Sequence, residues 1–533
     1  MNNFKLIKQL KSLNFVMFLL LAGNTSLLFA EVRLPNIFSD NMVLQQGVPV
    51  RIWGWADAGE KVNVTFLNQK KTTIANAEGK WLLFLDELEY GGPFELVVSA
   101  KNTIKFSNIL VGEVWICSGQ SNMEWPVSLL NNPKEVESKA DYPNIRFFKV
   151  KHSSQGKPAD DCAGQWDQVG PQTVSKLSAV GYFFSRELHS KLNVPIGLIN
   201  STWSGSAAES WVRRDVLDAD PAYSDIIERH NADLKKFKSF KNIVSAYKQF
   251  ETEYVQWAKA DKQAKKEGKP RSDAPAIPTC QPPNFLPAGL YNGMITPLQK
   301  FAIKGVIWYQ GESNAFDVVD GSDGVHRAIQ YGKLFPELIE CWRKDWGLGE
   351  FPFYYVQIAP FGDVYKPKAA ALIRQAQFET LRKVENTGMA VTMDIGNVKD
   401  IHPRNKHDVG KRLSLWALAK SYGQDIVYSG PLYRDMKIEK NKIILSFDHV
   451  GGGLIARDSA LNFFFIAGKN KQFYPAKAEI KGGQVIVFNK KVKRPVAVRF
   501  AFSNDVIPNF YNKEGLPASP FRTDDWDFSE TNR

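Results

Sequence analysis

Short runs that alternate apolar and polar residues, broken by turn formers, fill the chain from position 31 to about 106: VPVRIWGWA, KVNVTFL, KWLLFL and FELVVSA. A period of two marks strands with one face in a core, so this stretch predicts a small antiparallel β domain. After Ile109 the texture changes. Unbroken apolar runs of five or six residues alternate with longer amphipathic segments, the pattern of a parallel sheet covered by helices. The predicted strands are 111–116, 196–200, 305–309, 353–358 and 390–393. The predicted helices are 176–192, 374–385 and 405–422, the last capped by Asn405. A charged, helix-forming stretch at about 215–270 interrupts the alternation and ends in the Pro-rich KPRSDAPAIPTCQPP. We read it as a helical insertion whose Phe, Tyr and Trp positions form a packing stripe. From about position 430 the chain returns to strands: KIILSF, FFFIAG, KAEIK, QVIVFN and AVRFAFS. The expected architecture is α/β: a parallel-sheet domain at 108–428, with the insertion, between an N-terminal β domain at 31–107 and a C-terminal β-rich region at 429–533.

The first thirty residues belong to none of these. Lys5, Lys8 and Lys11 precede an apolar run from position 15 to 22, and a small residue, Ala30, closes the segment. That is the architecture of a signal peptide, which predicts export to the periplasm or outside the cell and no stable membrane insertion after cleavage. Its removal takes away three lysines and no acid, so the formal charge falls from +12 to +9. The remaining basic residues are scattered, with no Lys/Arg run interleaved with aromatics, so no nucleic-acid partner is expected.

A length of 533 residues exceeds one ordinary domain, and 44% hydrophobic content supports a real core. Trp53 and Trp55 in the first β region read as packing positions, with stacking on a pyranose as the alternative. All four cysteines follow the predicted cleavage point, where disulfides persist. Cys162 and Cys280 stand in loop-like contexts and are the expected pair; Cys117 reads as a small buried hydrophobe. No CxxC spacing, His-rich tract or GxxxxGK[ST] loop is present, so no metal or organic cofactor is expected.

Four predicted strands run directly into polar or glycine-rich turns. These are Gly119-Gln120-Ser121-Asn122, Ser201-Thr202-Trp203-Ser204-Gly205-Ser206, Gln310-Gly311-Glu312-Ser313-Asn314 and Asp400-Ile401-His402-Pro403. In an open parallel sheet the carboxyl ends of the strands share one edge, so the four turns should meet there. A presented serine, a small-residue loop, amides and an acid-histidine pair together make a hydrolase's set of parts. Of the seven histidines only His402 follows a predicted buried strand and precedes a helix. His407 reads as a first-turn helix residue, and His449 lies among β strands.

GQSNM, WYQGESNA, DIHP and the SxWxGS turn resemble the SGNH/GDSL hydrolase superfamily and, within it, the sialate O-acetylesterase family. GLYNGMITPLQKFAIKGVIWYQGESNA and NFYNKEGLPASPFRTDDW extend the resemblance over most of the exported chain. The resemblance implies a flavodoxin-like three-layer sandwich and a serine carbohydrate esterase that removes O-acetyl groups through an acyl-serine. By position, Ser121 matches the nucleophile and His402 the general base. The main-chain N–H of Ser121, Gly205 and Asn314 match the oxyanion hole, with Gln310 as an alternative amide donor. The superfamily often places its acid three residues before the histidine, where this chain has Lys399. Asp400 is our choice to orient His402, over a backbone carbonyl or Asp394. Where the family usually has two glycines, this chain has Ser204-Gly205, so which of them donates is open.

The substrate the resemblance implies is an O-acetylated sialic acid. Asn122, Glu312 and Arg374 are candidate substrate-binding residues. A sialate carboxylate requires a cation, and Arg213, Arg214 and Arg374 are the candidates. The same mechanism on acetylated xylan or another polysaccharide is the alternative. A non-catalytic glycan-binding protein is a third reading, and it predicts the loss of one polar turn. All four are present.

Overall fold

The computed structural model describes residues 31–317, 323–362 and 367–528, so the predicted signal segment lies outside the described residues. Two compact units are distinguished within them. The first comprises Ile52–Leu83 and Leu96–Lys105 with the described residues up to Leu34; the second comprises Pro35–Arg51, Phe84–Glu95 and the described residues from Phe106 onward. In the first, Lys61–Phe66 pairs antiparallel with Gln69–Ile74 and with the chain from Leu96 to Ser99. The inward positions Val62, Val64 and Phe66 are fully buried, as the alternation predicts. Trp53 is buried, and the half-buried Trp55 ring carries the Arg33 guanidinium at 4.0 Å.

The second unit is built on a parallel sheet. In chain order its main elements are β1 (Thr103–Gly119, in this unit from Phe106), α1 (Ser121–Glu124), β2 (Tyr142–Lys149), β3 (Trp166–Val169), α2 (Ala179–Leu192), β4 (Ile196–Thr202), α3 (Ser224–Phe237) and α4 (Phe240–Glu267). They continue with β5 (Gly305–Tyr309), α5 (Gly324–Trp346), β6 (Phe353–Val356), α6 (Ala369–Lys383), β7 (Thr387–Ala390) and α7 (Lys406–Lys420). The strand order is β7-β6-β5-β1-β4-β2-β3, with every pairing parallel except that of the edge strand β3. Side chains alternate between two helical layers, as strand geometry requires. On one face Trp115 packs edge-on to Phe184 of α2 and stacks on Tyr354, whose hydroxyl reaches Ser421 just after α7. On the other, Trp308 and Phe353 pack against Trp342 of α5, and the Tyr355 hydroxyl donates to Gln377 O of α6. The result is a three-layer α/β sandwich, the fold class expected.

Asn405 caps α7 as predicted, its side chain accepting from the Asp408 N–H. The stretch at 215–270 is helical, and Phe250, Tyr254 and Trp257 follow one another along α4 with ring centroids 5.8 and 5.3 Å apart. The last strand is three residues earlier than expected, at Thr387–Ala390. The 23-residue helix α5 is an element that the periodicity does not announce. It is buried on several sides and carries Pro336, which blurs both the amphipathic period and the expectation of continuity. Later strands form two four-stranded sheets around a cluster of Phe447, Phe464, Phe500, Phe510 and Phe521.

The expected Cys162–Cys280 disulfide is absent: all four cysteines are free. Cys162 is buried, whereas the carbonyl of Cys280 is held by the Tyr247 hydroxyl of α4 at 2.6 Å. Loop-like sequence around two thiols does not make them face each other. Cys117 is buried as expected, and burial pushes its thiol up to about 12.

Candidate active site

The site begins where three neighbouring strands end in register, Gly119 of β1 lying opposite both Thr202 of β4 and Tyr309 of β5. Gly119 has φ +128°, and a Cβ there would lie 2.2 Å from Tyr309 O. Only glycine lets these strand ends approach so closely. The turn after it presents the Ser121 hydroxyl, whose Oγ lies 2.9 Å from His402 Nε2 across 281 positions of sequence.

The imidazole is held on its face. His402 stacks on Trp125 at 4.8 Å, and the Arg404 guanidinium lies over the same indole at 4.3 Å. Burial, reinforced by the Lys406 and Arg404 charges and opposed by Asp400, lowers the His402 pKa below its ordinary 6.5. Asp400 Oδ1 accepts from the main-chain N–H of His402 at 2.9 Å, and Oδ2 pairs with Arg404 at 3.3 Å. The bond from this carboxylate to residue 402 thus goes to the backbone. Asp394, the alternative acid, is bound by both terminal guanidinium nitrogens of Arg412.

On the second turn, Glu124 Oε2 accepts from the Ser204 N–H at 2.6 Å and from the Ser204 hydroxyl at 2.7 Å, while its Oε1 contacts His152 Nε2 at 2.9 Å. Burial raises the Glu124 pKa, but these bonds outweigh it and the net shift is downward. His152 in turn stacks on Trp203 at 4.4 Å. The Ser204 N–H is thereby committed to Glu124. The following residue, Gly205, turns with φ +69°.

Around the serine turn lies a buried polar layer. Asn122 Nδ2 donates to Glu312 Oε1 at 2.6 Å and to Ile401 O at 3.0 Å, and its Oδ1 accepts from Lys406 Nζ. Gln120 Oε1 accepts from the N–H groups of Gly311 and Ser313, both at 3.2 Å. Asn314 Oδ1 accepts from the Ala208 N–H and from Gln310 Nε2, and its Nδ2 donates to Glu209 Oε2 at 2.9 Å. Glu209 is paired on its other oxygen with Arg327 at 3.0 Å.

Several candidates from the sequence take a different place. Gln310 directs both amide hydrogens inward, to Ser206 O at 3.1 Å and Asn314 Oδ1 at 2.7 Å, so neither remains for an oxyanion. Asn122 and Glu312 are buried and bonded to each other. Arg374 is fully buried, with its guanidinium turned to the carbonyls of Ala359, Ser503 and Asn504. Arg213 pairs with Asp215 and Asp345, and Arg214 with Asp218. Among the described residues no group of three or more His, Cys, Asp or Glu is arranged to hold a metal ion.

A family model described as carbohydrate esterase, sialic acid-specific acetylesterase, matches residues 111–266 and 283–418, more than half the chain. The chain belongs to that family. Both matched segments contain parts of the site, Ser121 and Gly205 in the first, Asn314 and His402 in the second. Sialate O-acetylesterases are among its relatives: that of Mus musculus is 28% identical over 91% of this chain and 93% of its own length, and that of Rattus norvegicus is 30% identical over 77% and 78%. The crystal structure of a carbohydrate acetylesterase from Xanthomonas citri, 36% identical, superposes with a TM-score of 0.77 over 93% of this chain and all of that one. As a sialic acid-specific acetylesterase family member, the protein is a carboxylic ester hydrolase that acts on O-acetylated sugars. Among the described residues no helix is long and apolar enough to cross a membrane.

The sequence motifs do not single out Lys406, Glu124, Trp125, His152 or the Glu209–Arg327 pair. Lys406 had one usable signal, its place four residues after His402 in the first turn of a helix. Glu209 and Arg327 had none, because charged residues in polar stretches read as surface until their burial is known.

Proposed function

We propose that the protein is an exported serine sialate O-acetylesterase, with its catalytic domain at 108–428 and the segment 1–30 directing export. The contact between the Ser121 hydroxyl and His402 Nε2 carries this reading. His402 takes the hydroxyl proton as Oγ attacks the acetyl carbonyl, and then returns that proton to the leaving sugar oxygen, which departs as an alcohol. Water, deprotonated by the same imidazole, attacks the acyl-serine; the bond from the acyl carbon to Oγ breaks, the imidazolium returns its proton to Oγ, and acetate leaves. The oxyanion is held by the N–H groups of Ser121 and Gly205 and by the Asn314 amide hydrogen that Glu209 does not use. The commitment of the Ser204 N–H to Glu124 favours Gly205 as the donor on that turn. Asp400 orients His402 through the main chain and opposes the nearby cations.

A base must be neutral to accept a proton, so kcat/KM falls as pH drops through the lowered His402 pKa. Activity is therefore expected to persist below pH 6.5, the ordinary imidazole value. A pH–rate profile checks this, and an acid limb above 6.5 contradicts it.

For the carboxylate of a sialate we propose Arg404. It is partly exposed and spread on the indole that supports His402; among the described residues its ion pair is with Asp400 at 3.3 Å, and Nη1 lies 3.5 Å from Leu129 O. Losing a charge-assisted hydrogen bond costs about 1.5–3 kcal/mol. Arg404→Gln is accordingly expected to raise KM for an O-acetylated sialic acid about tenfold more than KM for a neutral acetylated sugar. Equal effects on both would remove Arg404 from substrate recognition. An acetate-release panel over O-acetylated sialic acids and acetylated xylo-oligosaccharides tests the substrate itself. Turnover confined to the xylo-oligosaccharides would move the substrate to a neutral polysaccharide.

A further inference from the structure

Asn122 follows the serine directly, and Ile401 precedes the histidine directly. One side-chain amide joins the two: Asn122 Nδ2 donates to Ile401 O at 3.0 Å and, with its second hydrogen, to Glu312 Oε1 at 2.6 Å. The amide oxygen accepts from Lys406, on the first turn of α7, four residues beyond His402. The serine turn, the turn after β5 and the histidine loop thus meet on a single residue. Asn122, Lys406 and Glu312 are all at least 98% buried, so these bonds are shielded from bulk solvent.

We propose that Asn122, held by Lys406, is a positioning residue that sets the distance between Ser121 Oγ and His402 Nε2. This rests on reading those two groups as nucleophile and base. Only an amide suits position 122. A carboxylate would lose both donors and face Glu312, and an apolar residue would strand the Lys406 ammonium. Lys406 also acts on His402 through space. The charged groups around that imidazole are Asp400 and Arg404 from its own loop and Lys406 from α7, with Glu312 facing Lys406 across Asn122. Burial lowers the Lys406 pKa to about 7, and its positive charge helps keep the imidazole neutral.

The test uses the full-length protein, an aryl acetate as substrate, and a serine-directed organophosphonate to count competent sites. Misplacing a catalytic group by about 1 Å costs on the order of 100-fold in rate. Asn122→Ala is therefore expected to lower kcat per labelled site by about 100-fold with KM changed less than about threefold. Lys406→Gln keeps a donor for Asn122 but removes the charge, so the acid limb of kcat/KM moves to higher pH. A merely structural role would lower the number of labelled sites and leave the pH profile in place. If Asn122→Ala does not fold, the isosteric Asn122→Asp carries the same expectation. A kcat per site within about twofold of the parent, or an unmoved acid limb in Lys406→Gln, overturns the proposal. A parent protein that hydrolyses no aryl acetate would instead overturn the reading of Ser121 and His402 themselves.

Discussion

Alanine at position 121 is expected to lower kcat on an aryl acetate by about 10⁵- to 10⁶-fold while leaving KM nearly unchanged. The size follows from the chemistry. Without Oγ there is no acyl-enzyme, and what remains is only what bound donors do for attack by water. His402→Ala should cost nearly as much, because a serine hydroxyl without a base at 2.9 Å is a poor nucleophile at neutral pH. Parts that act as a unit are not additive, so the double variant should be hardly slower than Ser121→Ala alone. Ser204→Ala is the control. Its hydroxyl makes one of two bonds from that residue to Glu124, and the main-chain bond survives the substitution. Most activity should remain. Rates for His402→Ala within tenfold of the parent would end the assignment of the base.

The second large effect falls on stability. Glu209 and Arg327 are 2% and 1% exposed, bonded at 3.0 Å, and the guanidinium also donates to Ser313 O at 2.7 Å and Phe316 O at 3.1 Å. Removing one partner leaves an uncompensated charge in the interior, so Glu209→Ala should destabilise the protein by about 3–5 kcal/mol. Glu209→Leu combined with Arg327→Met removes both charges and should be less destabilising than Glu209→Ala alone. Urea unfolding of the three proteins decides between a paired interior and a dispensable surface bridge. A loss below about 1 kcal/mol in Glu209→Ala would mean the pair behaves as a surface bridge. Because Asn314 Nδ2 also donates to Glu209, any residual activity of the variant reports on how firmly that amide must be held.

Much of the fold is visible in one dimension because strand and helix periods are local. The runs at 111–116, 196–200 and 305–309 became β1, β4 and β5, since apolar residues without alternation signal a sheet covered on both faces. Helix α5 escaped because burial on several sides erases the polar stripe, and β2 escaped because only part of YPNIRFFK is apolar. The convergence of the turns was also legible, since the carboxyl edge of a parallel sheet is common to all its strands.

Which polar side chain faces outward was not legible. Arg374 sits on a helix whose neighbours in sequence give no sign that carbonyls at 359, 503 and 504 will enclose it. Gln310 and Asn122 are polar residues in polar turns, indistinguishable in sequence from substrate contacts, yet their amide hydrogens bond partners up to 279 positions away. The chain by itself therefore determined the layers, the order of the turns and the family to which its motifs belong, because spacing and residue type are enough for these. Tertiary structure alone decided which groups are exposed and which are locked beneath them. A hydrogen-bond donor has few bonds to give, and its partner is chosen by distance in space.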